Sequence, residues 1–226
     1  MGRSDDRFHS RPTFAIRGSA PSLSLSPQVS QPPTDGVSSL SWSPRANLLV
    51  ATSWDNQVRC WDVQQNGQAI PKASQTHQAP VLCSAWHGDG SKIFSAGCDN
   101  QVKMWDLQSN QQQQVAAHDA PIRRMAYISE LNMLVTGGWD RTLRYWDLRS
   151  PNAVHVHQLP ERCYALSLNF PLLVVGTAER HIEVSGLISS LFSSPTRHLQ
   201  SRDLTQATQK NRSSTFRPRL SRSTRR

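Results

Sequence analysis

Three times in this chain an aspartate is followed six residues later by the dipeptide Trp-Asp: Asp55 by Trp61-Asp62, Asp99 by Trp105-Asp106, and Asp140 by Trp146-Asp147. The three leading aspartates lie 44 and then 41 residues apart. A fixed period of about 40–45 residues constrains the fold more than any composition does, because a unit that short cannot bury its own apolar face and must stack on its neighbours. The stretch GWDRTLRYWDL (138–148) is therefore one copy of a structural repeat.

Within each copy the chain reads as short strands separated by turns. VSSLSWS (37–43) and QVRCWDV (57–63) alternate, and LLVATS (48–53) between them is a buried run. Links such as Ser43-Pro44, Asp55-Asn56 and GDG at 88–90 carry turn chemistry. The tracts 64–76, 107–117 and 148–158 follow the WD dipeptides and supply an outer fourth strand, which in the second copy holds QQQQVAA (111–117). A WD dipeptide at this period is the signature of a four-stranded propeller blade. The expected fold is an all-β WD40 β-propeller with blades at about 37–76, 77–117 and 118–157, and a partial fourth at 158–184. In that fourth copy Glu179 falls where the turn aspartate belongs and Ser185 where the tryptophan belongs. Residues 1–35, rich in Ser, Pro and Arg, and residues 185–226, rich in Ser and Arg, hold too few apolar groups to offset the entropy of ordering and are expected to be disordered.

Charge narrows the function less than the total suggests. The chain carries +9, but residues 185–226 hold nine basic side chains against Asp203 alone, so +8 of it lies there. Residues 1–184 are almost neutral, and no nucleic-acid-binding face follows from the pI. The basic tail could hold RNA through phosphates, as any flexible cationic segment can, although a solvated tail is the plainer reading. The cysteines at 60, 83, 98 and 163 show no paired spacing, so free thiols are expected and no metal site. No 18-residue apolar run and no N-terminal h-region occur, and Asp6 stands where a myristoylation signal needs Ser or Thr. A soluble intracellular protein is expected.

The copies resemble WD-repeat blades, in which a buried hydrogen-bond relay joins a His before the first strand, the turn Asp, a Ser or Thr, and the Trp indole. The second copy has all four as His77, Ser95, Asp99 and Trp105, and the third as His118, Thr136, Asp140 and Trp146. The first has Asp55 and Trp61, but Ala51 replaces the hydroxyl residue and no His precedes it. His, Ser and Asp together also suggest a hydrolase. A catalytic triad, however, is one nucleophile at one exposed position beside an oxyanion hole. A trio duplicated at equal spacing and tied each time to a tryptophan fixes a fold, so no catalytic residue, cofactor or enzyme activity is expected. The pair His155 and His157 would share a strand face, with no further ligand in view.

Partner-binding candidates come from the same repeats. Trp54 and Trp139 precede the turn aspartates, where a large aromatic is either a binding hot spot or packs on the next blade. Arg59, Lys103 and Arg144 recur two residues before each WD Trp and are expected on a solvated strand face, available to an acidic partner. Arg149 completes a W-D-x-R box with Trp146-Asp147-Leu148, seen in propellers that dock on the adaptor of a cullin–RING ubiquitin ligase. The other two WD dipeptides are followed in that place by Gln64 and Gln108.

The runs SWDNQVRCWDVQQNGQAIPKASQTHQAPVL (53–82), KMWDLQSNQ (103–111), HDAPIRRM (118–125) and QLPERCYAL (158–166) resemble the mRNA export factors of the Rae/Gle family. The QLPERCY and IPK segments separate the chain from the similar Bub-type spindle-checkpoint propellers. The resemblance covers about residues 35–184. It implies a seven-bladed, non-enzymatic propeller that binds a peptide motif of an FG nucleoporin and docks at the nuclear pore. It implies work with messenger ribonucleoprotein, or RNA directly, while shuttling between nucleus and cytoplasm. Roles at the mitotic spindle are implied as well. A substrate-receptor role in a ubiquitin ligase and a spindle-checkpoint role stand as alternatives. Seven blades need roughly 290 residues, and three with part of a fourth are read here. The expectation is a truncated form, or a reading frame lost near 184–187.

Overall fold

The computed structural model describes residues 29–187, so the expectations for 1–28 and 188–226 lie outside the described residues. The described chain is all-β and forms four antiparallel sheets, each in simple meander order. The first holds β1 (Val37–Trp42), β2 (Leu48–Ser53), β3 (Gln57–Val63) and β4 (Ala69–Thr76). The second holds β5 (Val81–Trp86), β6 (Lys92–Gly97), β7 (Gln101–Asp106) and β8 (Gln111–Ala117). The third holds β9 (Ile122–Ile128), β10 (Met133–Gly138), β11 (Thr142–Asp147) and β12 (Ala153–Gln158). The fourth has three strands, β13 (Cys163–Asn169), β14 (Leu172–Thr177) and β15 (Ile182–Gly186).

The sheets stack face to face through their first strands, β1 on β5, β5 on β9 and β9 on β13. This arrangement explains the departures from period two. β6 and β10 are buried on both faces and read as unbroken apolar or small runs, whereas β4 keeps alternate residues exposed. Val50, Val58, Val81, Trp86, Ile93 and Trp105 fill the space between the first and second sheets. Phe94, Ala96, Ile122, Met125, Leu134 and Trp146 fill that between the second and third. Between the third and fourth lie Val135, Leu143, Tyr145, Leu173 and Val175. In the fourth sheet Ser185, standing where the earlier copies have tryptophan, leaves room for the Tyr145 side chain. Burial pushes that phenol up to about 12 despite a hydrogen bond with Ser185.

Two irregularities repeat with the sheets. The first strand slips register at its start, between Val37 and Ser39, Val81 and Cys83, and Cys163 and Ala165. In the third sheet the same slip falls between Ile122 and Arg124, opposite Gly138 and Gly137. The turn between the second and third strands contains positive-φ residues in every sheet: Asn56 (68°), Asn100 (62°) and Arg141 (61°) singly, and Glu179 (62°) with Arg180 (66°) in the fourth. Asn tolerates that conformation better than Arg, so the third and fourth turns are the less comfortable pair.

The expected boundaries at residues 35 and 185 both need correcting: Ser185 and Gly186 complete β15, and Leu187 is buried in the core against the third sheet. Residues 29–35 lie against the first sheet rather than in a disordered tail: Val29 packs on Trp61 and Ala69, and Thr34 bonds Asp55. Apolar content was too local a criterion there, because one valine and two backbone groups find partners already folded.

Candidate interaction face

The turns between second and third strands and the starts of the first strands share one face of the array. In the third sheet Trp146 Nε1 donates to Thr136 Oγ1 at 2.9 Å. Thr136 lies 2.7 Å from His118 Nε2, and His118 Nδ1 lies 2.9 Å from Asp140 Oδ2. Because an indole N–H only donates, the Thr136 oxygen accepts from it. The Asp140 carboxylate only accepts, so His118 Nδ1 carries a proton aimed at it. His118 and Thr136 are buried, so the hydroxyl has no access to a substrate. In the second sheet His77 joins Asp99 and Ser95, both at 2.8 Å.

Trp105 departs from the expected relay. Its Nε1 donates to Asn110 Oδ1 at 3.0 Å, not to Ser95. Asn110 sits at φ 55° in the turn after β7 and presents its side-chain oxygen to the indole. In the first sheet Trp61 Nε1 donates to the Ser30 carbonyl at 2.8 Å, and Asp55 is held by Thr34, Gln57 and Arg59. Segment 30–34 thus stands in for the missing histidine and hydroxyl.

The expectation of a solvated basic strand face is also corrected. Arg59 lies 2.8 Å from Asp55, Lys103 3.9 Å from Asp99, and Arg144 3.1 Å from Asp140, with Asp119 closing on the same guanidinium. Their side chains are only 11, 13 and 18% exposed. Each basic residue stands four places after its turn aspartate, and across a tight turn that spacing brings the two together. These three serve the turns.

The two candidate tryptophans part company. Trp54 is 47% exposed. Trp139 packs against Tyr164 of the fourth sheet, ring centroids 6.2 Å apart, and its enclosed indole N–H meets no acceptor among the described residues. Tyr164 itself is 43% exposed, and its carbonyl accepts from Arg124 Nε at 3.2 Å. The sequence reading missed Tyr164, Arg123 and Arg124. The available signal was two consecutive arginines at the head of a strand whose counterparts in the first two copies are uncharged.

Arg149 is not brought to this face. It lies in the turn after β11, at the other end of the sheet, and its guanidinium grips Asp147 through bonds of 3.0 and 2.9 Å. His157 likewise meets Glu183 of the fourth sheet at 2.7 Å instead of standing in solvent, and His155 lies on the Tyr145 ring. Among the described residues no three His, Cys, Asp or Glu side chains are grouped to hold a metal, and no helix is long and apolar enough to cross a membrane. All four cysteines are free.

Acid should open this face first. Burial opposes ionisation of Asp55, but hydrogen bonds from Thr34, Arg59 and Gln57 outweigh it and bring its pKa down to about 2. Burial likewise opposes ionisation of Asp99 and Asp140, and the histidine and backbone bonds again hold both below the usual range. A depressed folded pKa stabilises above the unfolded value near 3.9 and is lost as pH falls through the folded one. Circular dichroism at 25 °C should therefore show loss of sheet between about pH 4 and pH 2. Loss already complete at pH 5 would assign the transition to other groups.

Residues 26–62, 71–106 and 109–147 match the WD domain, G-beta repeat family. The chain is 55% identical over 164 residues to "Protein RAE1" of Arabidopsis thaliana, covering 71% of this chain and 47% of that protein. It is 52% identical over 162 residues to "mRNA export factor" of Xenopus tropicalis, covering 70% and 44%. With "Poly(A)+ RNA export protein" of Schizosaccharomyces pombe the identity is 42% over 183 residues, covering 80% and 52%. The chain spans about half the length of the curated relatives it matches.

Proposed function

This chain belongs to the Rae/Gle family of WD-repeat mRNA export factors, and from that premise we propose that it is a non-enzymatic adaptor in nuclear export of messenger RNA, docking a peptide of an FG nucleoporin on the face that carries Trp54. The observation that carries this reading is a contrast. The polar trios of that face are locked into buried relays, with Ser95 and Thr136 at most 1% exposed, while a large aromatic beside them is open. Such a surface has no nucleophile to offer and an anchor to give. A rigid rim with exposed aromatics suits peptide capture. On this reading the chain works at the nuclear pore, shuttles to the cytoplasm, and meets RNA chiefly as ribonucleoprotein.

The test is isothermal titration of the full chain with a synthetic FG-nucleoporin peptide. Trp54→Ala should weaken binding by about tenfold or more, about 1.4 kcal/mol, as expected of an aromatic hot spot. Its half-exposed side chain predicts little change in thermal stability. Unaltered affinity would remove Trp54 and this face from the docking surface.

A further inference from the structure

On the same face lie two cations that the relays and turns do not use. Arg123 and Arg124 are consecutive at the head of β9, and both are half-buried. Arg123 is the extra residue at the register slip of β9, where strict alternation breaks down. Arg123 Nη1 reaches back to the Leu82 carbonyl of the second sheet, and Arg124 Nε forward to the Tyr164 carbonyl of the fourth, each at 3.2 Å. These two bonds orient the guanidiniums and leave most of their five N–H groups unspent.

Nothing within the described chain balances their charge. Arg59, Lys103 and Arg144 each meet a carboxylate, but no carboxylate among the described residues pairs with Arg123 or Arg124. The ionisable groups nearest to them include Cys83 and Cys163. Burial pushes these thiols up to about 12 and about 11, so both stay neutral. Arg123 is held below its ordinary range by its own burial and by the charge of Arg124 beside it. Two partly desolvated like charges side by side, steadied by carbonyls, cost the fold energy that an incoming anion would return.

We propose that Arg123 and Arg124 form a subsite for an acidic side chain of the docked peptide, next to the aromatic pair Trp139–Tyr164. This rests on the docking reading above and adds what the peptide must contain: an Asp or Glu flanked by apolar residues. A carboxylate fits the forked donors. A nucleic-acid strand fits less well, since phosphate binding draws on several cations in a row. Residues 29–187 instead carry twelve basic and thirteen acidic side chains, and Asp119 of this face is 83% exposed.

The test pans a phage library of random dodecapeptides on the full chain and reads the selected sequences. The expected result is enrichment of Asp or Glu among apolar residues. A selected peptide should bind about tenfold more tightly than its twin with Gln for Glu and Asn for Asp, measured by fluorescence anisotropy. The double variant Arg123→Gln/Arg124→Gln should erase that difference while keeping the melting temperature. Arg123→Lys/Arg124→Lys should keep part of it. The peptide-side exchange needs no variant, so it decides the matter even where the Gln pair does not fold. Peptides that bind through Trp54 with no acidic preference would overturn the subsite and spare the docking face. A decauridine RNA whose binding depended on both arginines, with peptides indifferent to them, would also overturn it. Failure to select any peptide would overturn both readings.

Discussion

Replacing Asp140 with alanine should destabilise the chain by about 3–5 kcal/mol, the range for breaking a buried charged network from one side. Asp140 is 7% exposed and is met by His118 Nδ1 at 2.9 Å, Thr142 Oγ1 at 2.8 Å and Arg144 Nη2 at 3.1 Å, with the backbone amides of Thr142 and Asp119 behind them. Its removal leaves a fully buried imidazole donor with only the more distant Thr142 Oγ1, at 3.4 Å, to turn to. Asp55→Ala is the matched control, since Asp55 is equally enclosed but is held by Thr34, Gln57 and Arg59 with no histidine. Its loss should cost about 1–3 kcal/mol, the range for leaving buried donors unmet without a histidine-centred network. Urea unfolding of the two variants side by side reads the difference. Equal losses would show that the histidine-centred relay is not where the stability lies.

The relays also mark the limit of what sequence could tell. Spacing was sufficient for the sheets, because a six-residue step from turn Asp to Trp places the two at opposite ends of one strand wherever it recurs. The pairing of His118 with Asp140, 22 residues apart, came instead from the resemblance to WD-repeat blades. Spacing failed at Trp105, where the acceptor is chosen by a neighbouring turn: Asn110 offers an oxygen there, and nothing in the Asp-to-Trp step encodes it. It failed again for Arg59 and Arg144, which as strand residues two before a tryptophan look solvated, until the turn folds the aspartate back onto them. Trp54 and Trp139 are identical in sequence position and differ only in neighbours. Tyr164 exists to cover Trp139, and no tyrosine covers Trp54. Local pattern fixes the backbone, whereas exposure depends on which sheet comes next.

That dependence on the next sheet also ranks the tryptophans of the WD dipeptides. Trp105 is 1% exposed and lies between two sheets, walled by Val50, Val58, Val81 and Ile93. Trp105→Ala should cost about 3–5 kcal/mol, the range for deleting a large buried aromatic whose surroundings cannot collapse, and it also strips Asn110 of its donor. Trp61 is almost as buried, at 2%. Its cover among the described residues, however, is the segment around Val29 and Ser30, which lies in no strand and can settle into the vacated space. Because the cost of a cavity depends on how far its walls relax, Trp61→Ala should cost less, about 2–3 kcal/mol. Chemical denaturation of the two variants compares them directly. A loss at Trp61 matching that at Trp105 would mean that residues 29–32 pack as firmly as a neighbouring sheet, and so belong to the fold as fully as any strand.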